Sequence, residues 1–459
     1  CDRGVGGTDG IPPRAAEVSV EIQGKATRIT LLDFTSPQMR AFHMSWIAFF
    51  LCFFAWFGIA PLMAMVREEL QLTKDQVGWC IIASVSITIL ARLWIGWLCE
   101  RYGPRLTYTW LLILGSLPVM LIGLSWNFES FLVFRLLIGA IGASFVITQF
   151  HTSVMFAPNC VGTANAAAAG WGNLGGGVTQ MAMPLVFAFF VSVCGLSAAM
   201  GWRLAMVAAG IVCLLAGIAY WRFTQDAPEG NVSDLRAAGK LPSVAKSWSG
   251  FWEAFRDGRV WALFVIYGAC FGIELTIDNI AHLYFVDKFG LSVTWAGVAA
   301  GLFGAMNIVA RALGGLISDK CSARWGLRGR VGWLFVALAA EGILLACFSR
   351  AHVLLAAIPL LLAFGLFVKM SNGATYAVVP FVNRKALGAV SGIVGAGGNA
   401  GAVAAGFLFK GSLDWSTGLL ILGIAVTVSS LLALTVKLIP HTQPAPEPAA
   451  MPELAPATE

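Results

Sequence analysis

Twelve stretches of this sequence are each as long and as apolar as a bilayer crossing requires, and this limits the possible folds more than any other feature. A hydrocarbon core of about 30 Å takes roughly 20 apolar residues as a helix. In lipid the backbone must satisfy its own polar groups, so spans of this length are helices. They lie near 43–66, 78–99, 107–126, 131–156, 162–192, 202–222, 259–286, 293–318, 331–349, 352–382, 387–411 and 415–438. The residues are 58% apolar and only 12% charged, against roughly 25% charged in a soluble domain. Too few charges remain to coat a water-facing surface, so the expected fold class is an all-α polytopic membrane protein with most of its outer surface in lipid.

The predicted organisation is a polar N-terminal tail (1–40), a six-helix half (41–223), a polar linker (224–258), a second six-helix half (259–439) and a Pro/Ala/Glu-rich disordered tail (440–459). Lys and Arg in the loops set the orientation. One side carries fourteen: Arg101, Arg105, Arg222, Arg236, Lys240, Lys246, Arg256, Arg259, Lys320, Arg324, Arg328, Arg330, Arg384 and Lys385. The other carries six: Arg67, Lys74, Arg203, Lys288, Arg350 and Lys410. Both termini and the linker are therefore expected in the cytoplasm. The net charge of +6 follows from this topology and calls for no nucleic-acid partner. The chain starts at Cys1 without an initiator methionine, as a fragment or processed form would. A lipoprotein cysteine is disfavoured because this end is expected inside, and residues 1–40 show no cleavable signal pattern. The ten cysteines are scattered, without metal-ligand spacing. No metal or cofactor is expected.

The halves repeat. Leu72-Thr-Lys-Asp-Gln-Val-Gly78, placed in the loop before span two, corresponds to Leu291-Ser-Val-Thr-Trp-Ala-Gly297 before span eight. In the same register Ala91-Arg92 matches Ala310-Arg311, Gly96 matches Gly315, and Glu100-Arg101 matches Asp319-Lys320. Further on, Gly172-Asn173 matches Gly398-Asn399. Structural repeats of this kind place a substrate site between the halves near the midplane.

Arg92 and Arg311 sit deep in apolar spans, where a guanidinium costs about 2.5–3.5 kcal/mol on insertion scales. The repeat relates them, so both are expected to face one central cavity, where a planar guanidinium suits a small planar oxyanion. The competing role is structural, with each arginine held by an internal carboxylate. Two glycine motifs flank them in sequence. Span five has Ala169-Gly-Trp-Gly-Asn-Leu-Gly-Gly-Gly-Val-Thr-Gln180, with Gly170, Gly172, Gly175 and Gly176. Span eleven has Gly392-Ile-Val-Gly-Ala-Gly-Gly-Asn-Ala-Gly-Ala402, with Gly395, Gly397, Gly398 and Gly401. Small residues let helix backbones approach closely, which accounts for most of these glycines, and they also let a backbone line a narrow cavity. The amides of Asn173 and Asn399 can donate to an anion or join helices.

These paired motifs resemble the signatures of the nitrate/nitrite porters, a branch of the major facilitator superfamily, and the resemblance runs from about Phe42 to Phe409. The loop Gly96-Trp-Leu-Cys-Glu-Arg-Tyr-Gly-Pro-Arg105 resembles the superfamily at large; Gly268-Ala-Cys-Phe-Gly-Ile-Glu-Leu-Thr-Ile-Asp-Asn279 points to the nitrate branch. The resemblance implies the superfamily fold, with paired arginines, here Arg92 and Arg311, holding the anion. It also implies roles for Asn173, for an aromatic of span four, Phe145, and for one of span seven, Tyr267. The short linker and tail lean towards a bacterial, inner-membrane protein.

Carrying one negative charge against an inside-negative potential costs about 2.3 kcal/mol per 100 mV. Uptake therefore requires coupling, either to two protons per nitrate or to exchange for internal nitrite. Glu274, Asp278 and His282 share one face of span seven, with His282 near the outer end in water; His151, Glu341 and Lys369 are further candidates to carry a proton. Antiport-type relatives tend to lack such acids, so proton symport is expected and nitrate/nitrite antiport is the alternative. Each candidate also has a structural role open to it: Glu274 as partner of an arginine or lysine, Lys369 as a third cation for the substrate. A transporter-like nitrate receptor would need a signalling domain, for which 440–459 is too short. No P-loop, metal cluster or nucleophile–base arrangement supports an enzyme. The transport unit is expected to be a monomer.

Overall fold

A computed structural model describes residues 24–157, 160–239, 249–383, 387–410 and 413–436. The expected tails before 24 and after 436, and Lys240, Lys246, Arg384 and Lys385 of the basic loops, lie outside these.

Among the described residues, twelve helices are long and apolar enough to span a membrane: α1 Pro37–Glu69, α2 Lys74–Cys99, α3 Pro104–Leu124, α4 Phe128–Met155, α5 Thr163–Val193, α6 Ala198–Phe223, α7 Gly258–Phe289, α8 Val293–Trp325, α9 Leu327–Ser349, α10 Leu354–Val378, α11 Ala389–Lys410 and α12 Trp415–Thr435. Large apolar side chains such as Trp94, Leu114, Leu137, Ile343 and Leu355 are exposed on their outer faces. The protein is a multi-pass membrane protein.

The helices outrun the apolar stretches where local chemistry extends or stops them. The repeated Leu72–Gly78 and Leu291–Gly297 segments are helix starts, not loops. Thr73 and Gln76 close a capping box on α2, and Ser292 accepts the N–H of Trp295 at the start of α8. α8 continues through the polar Asp319–Arg324 to Trp325 and stops at Gly326, whose φ is +64°. Hydropathy alone ends this span at 318, because it registers the lipid boundary and not the hydrogen-bond ladder. The segment after α6 holds two short helices, Val232–Ala237 and Ser249–Arg256. It is pinned to the α2–α3 loop by Asp226, whose carboxylate accepts the N–H groups of Arg105 (2.7 Å) and Val232 (3.0 Å).

Two helices break next to the centre. α4 tightens to a 3₁₀ turn at Ala140–Ala143, just before Phe145, and α8 does so at Met306–Ile308, just before Arg311. Short 3₁₀ turns within long helices mark local re-aiming of the chain.

The halves, α1–α6 and α7–α12, meet where α2 packs on α11 and α5 on α8. Gly177 of α5 and Gly304 of α8 are so close that a Cβ on either would overlap the other's backbone. At the end of the bundle away from the linker, Arg67 and Asp287 form a two-pronged ion pair (2.7 and 2.9 Å) across the halves. The Trp415 indole donates to the same carboxylate at 3.2 Å. Lys410 lies 3.9 Å from Asp75 and over the Trp79 ring, and Lys74 donates to the Leu413 carbonyl. The bundle is closed on that face.

Candidate functional site

Arg92 and Arg311 converge on one aromatic cluster at the middle of the bundle. The Arg92 guanidinium carbon lies 5.6 Å from the ring centre of Phe145 (α4) and 5.8 Å from that of Phe271 (α7). That of Arg311 is 5.7 Å from the same Phe271 ring. Tyr267 stacks on Phe271 at 5.1 Å and meets Tyr376 of α10 edge-on at 5.1 Å, and Tyr376 faces Phe145 at 6.4 Å. Such ring faces attract a cation while excluding water.

The two arginines differ in their partners. Arg92 is 8% exposed, and its one hydrogen bond runs from Nη1 to the Gly395 carbonyl of α11, at 2.9 Å. Its Nε and Nη2 are buried without an acceptor, and among the described residues no carboxylate pairs with it. Nε–H and Nη2–H form the edge of a guanidinium that grips a planar oxyanion with two parallel bonds, so that whole edge is free. Arg311, 9% exposed, donates from Nη2 to Oε2 of Glu274 at 2.9 Å, leaving Nε without an acceptor.

Glu274 is surrounded by donors. Besides Arg311, its oxygens meet the Lys369 ammonium at 2.5 Å and the amides of Asn307 (3.1 Å) and Asn372 (2.6 Å), all from its own half. Glu341 of α9 is also buried. The Asp278 carboxyl lies towards the other half, facing Gly176 of α5. His282 departs from expectation: it is fully buried, with Nε2 bonded to the Val293 carbonyl at 2.8 Å, because the start of α8 folds over it. His151 stands apart from this cluster, its nitrogens engaged by Tyr220 (2.5 Å) and the Gln225 carbonyl (2.8 Å).

Asn173 and Asn399 are both buried, and no atom of either amide has a hydrogen-bond partner. An unmet buried polar group costs about 1–3 kcal/mol, so two such amides at repeat-related positions are unusual. The signature glycines divide. Gly172 and Gly175 admit Phe49 and the backbone of Phe50 on α1, and Gly397, Gly398 and Gly401 admit α7. Gly170 faces the Asn307 carbonyl, while Gly395 sits between Arg92 and Tyr376.

Sequence reasoning missed Phe271, Tyr376, Asn307 and Asn372. It also missed Arg135 of α4, a guanidinium only 1% exposed in a span; its charge within an apolar run is the same signal that marked Arg92. Among the described residues buried in the spans, four cations (Arg92, Arg135, Arg311, Lys369) face three carboxyls (Glu274, Asp278, Glu341). By formal charge, these cations exceed the carboxyls by one.

A two-half, twelve-helix bundle with a positive centre is the architecture of a secondary transporter, and residues 45–382 match the Major Facilitator Superfamily. The fold also resembles a bacterial homolog of the human lysosomal transporter Spinster, solved in an inward-facing and occupied conformation, with a TM-score of 0.69 and 15% identity over 87% of this chain and 97% of that one. The high affinity nitrate transporter 2.5 of Arabidopsis thaliana is 39% identical over 93% of this chain and 85% of its own length. The high-affinity nitrate transporter 2.3 of Oryza sativa subsp. japonica is 38% identical, over 89% and 79%. The nitrate/nitrite transporter NrtP of Nostoc punctiforme is 28% identical, over 80% and 86%. The chain belongs to the nitrate/nitrite porter family and is a transporter, not an enzyme.

Proposed function

We propose that this protein takes up nitrate, and nitrite with it, by alternating access, with the anion held between Arg92 and Arg311 among Phe145, Phe271, Tyr267 and Tyr376. The observation that carries the reading is the free Nε–Nη2 edge of Arg92, buried and unmatched by any carboxylate among the described residues. A small planar monoanion satisfies that edge and cancels the surplus charge of the core. The amides of Asn173 and Asn399 supply further donors nearby along α5 and α11. The names of the relatives, high-affinity nitrate transporters and nitrate/nitrite transporters, support the same substrate. In this reading the protein acts as a monomer in the plasma membrane, with the linker and both termini cytoplasmic and the halves divided at 41–223 and 259–439.

Coupling to protons follows from competition for Arg311. The Glu274 carboxylate occupies the guanidinium that the anion needs. A proton on Glu274 weakens that pair and releases Arg311, so proton and anion load together. A second reading, nitrate/nitrite exchange, is favoured by the four donors that hold Glu274, which suit a permanent structural partner.

The test is nitrate uptake into proteoliposomes with an external acid pulse and no internal anion. Accumulation establishes symport; uptake only into vesicles loaded with nitrite or nitrate establishes exchange. For the site, Arg92→Lys and Arg311→Lys each lose a forked pair of charge-assisted bonds, and the nitrate Kd rises about tenfold to a hundredfold. Unchanged affinity in folded Arg92→Lys and Arg311→Lys proteins removes the site assignment.

A further inference from the structure

Arg135 has no part in the mechanism above, yet it is the most deeply buried arginine in the spans. Its Nη2 donates to Oδ1 of Asn279 on α7 at 2.9 Å, its Nη1 reaches the Trp56 carbonyl at 3.4 Å, and its Nε is buried without an acceptor. No carboxylate among the described residues pairs with it. A neutral amide offsets a buried guanidinium only in part, and an anion does so better.

Its position gives that charge a use. Phe145, on the same helix, touches Arg92. At about 1.5 Å per residue, Arg135 lies about 15 Å from Phe145 along α4, towards the outer face, where α4 begins at Phe128. Asn279 belongs to the other half, and the Ser84 hydroxyl of α2, whose proton goes to the Ile81 carbonyl at 2.7 Å, lies 3.5 Å from its amide oxygen. One oxygen thus joins α4 to α7, beside α2, between the outer face and the central arginines. The edge that Arg135 presents, Nε with Nη2, is the edge left free on Arg92, occupied here only by that amide oxygen.

We propose that Arg135 is a second, transient oxyanion site on the outer side of Arg92, held by Asn279 while that side is closed and by the incoming anion once it opens. The proposal rests on the transport reading and adds an intermediate stop to it. When the halves part on the outer face, Asn279 leaves with α7 and uncovers a two-pronged edge. The anion passes from Arg135 to Arg92, and closure restores the Asn279 bond.

Cys80 of α2, buried one helical turn towards the outer end from Ser84, whose hydroxyl lies 3.5 Å from the Asn279 amide oxygen, serves as the reporter. The experiment uses the full chain with the other nine cysteines replaced, in vesicles with the outer face exposed to a membrane-impermeant maleimide. Asn279→Ala speeds labelling of Cys80 by weakening the seal. Nitrate slows labelling in the parent; Arg135→Gln raises the half-protecting nitrate concentration about tenfold or more, as loss of a charge-assisted bond requires. Arg135→Lys, which keeps the charge, retains part of the protection, and Arg92→Lys, which disables the central site, leaves it in place. Protection that survives Arg135→Gln but disappears in Arg92→Lys overturns the proposal, as does a Cys80 that stays unreactive in Asn279→Ala. A parent that carries nitrate without protecting Cys80 also overturns it, while a parent that neither binds nor carries nitrate overturns the transport reading and this site with it.

Discussion

Glu274 is the residue on which the choice between coupling modes turns. Its carboxylate is shared by Arg311 and Lys369, so Glu274→Gln removes the negative charge that holds both cations. Under symport, Glu274→Gln abolishes acid-driven accumulation in proteoliposomes and leaves nitrate–nitrate counterflow. Equal loss of both activities, in a protein whose melting temperature has fallen, identifies a structural partner instead. Breaking a buried pair costs about 3–5 kcal/mol, so the melting temperature is part of the measurement. At this scale the sequence was legible wherever a side chain was costly. Arg92, Arg311 and Glu274 stand out in apolar spans because a charge there needs a reason. Phe271 and Tyr376 had no such mark: with 31 phenylalanines in the chain, nothing singles out the one that both arginines approach. Asn307 and Asn372 are invisible without the fold that brings α8 and α10 to Glu274.

At the scale of the helix, glycines that look alike in sequence have different consequences. Gly401 packs against the Gly268 backbone of α7, within one half. If the halves rock as rigid bodies, a valine there overpacks an interface kept in every conformation, at about 1–3 kcal/mol, and Gly401→Val is expected to lower folded yield and melting temperature. Gly177 meets Gly304 across the moving seam. Gly177→Ala is expected to fold but to resist closure of the outer face, seen as faster maleimide labelling of Cys80 with little change in thermal stability. Equal destabilisation by Gly401→Val and Gly177→Ala would show that the seam is as fixed as the helix pairs inside each half. Bilayer-length apolar stretches in the sequence located all twelve spans, since lipid thickness sets their length. They did not locate the helix ends, which depend on caps such as Thr73 and stops such as Gly326. Nor did they reveal the 3₁₀ breaks in α4 and α8, which produce no change in apolarity.

For the whole molecule, the outer-face contacts set the balance between conformations. Arg67 and Asp287 are only partly covered, with side-chain exposures of 35% and 22%, and a pair of that kind is worth up to about 1 kcal/mol. Arg67→Ala should therefore shift the ratio of closed to open outer face by about fivefold at most, read as a changed distance distribution between spin labels on α1 and α7. High salt should reduce the difference between the parent and Arg67→Ala. The surplus positive charge of the core has a further consequence for the whole cycle. With an anion bound alone, the centre is close to neutral by formal charge and crosses the field with little work; with a proton loaded on Glu274 beside the anion it keeps its excess cation, and the potential draws it inward. Empty, it carries its excess cation back towards the outer face against an inside-negative potential, at up to about 2.3 kcal/mol per 100 mV if the full field is traversed. On the alternating-access reading, the membrane potential therefore resists the unloaded return, and the resting cell holds the vacant carrier facing inward.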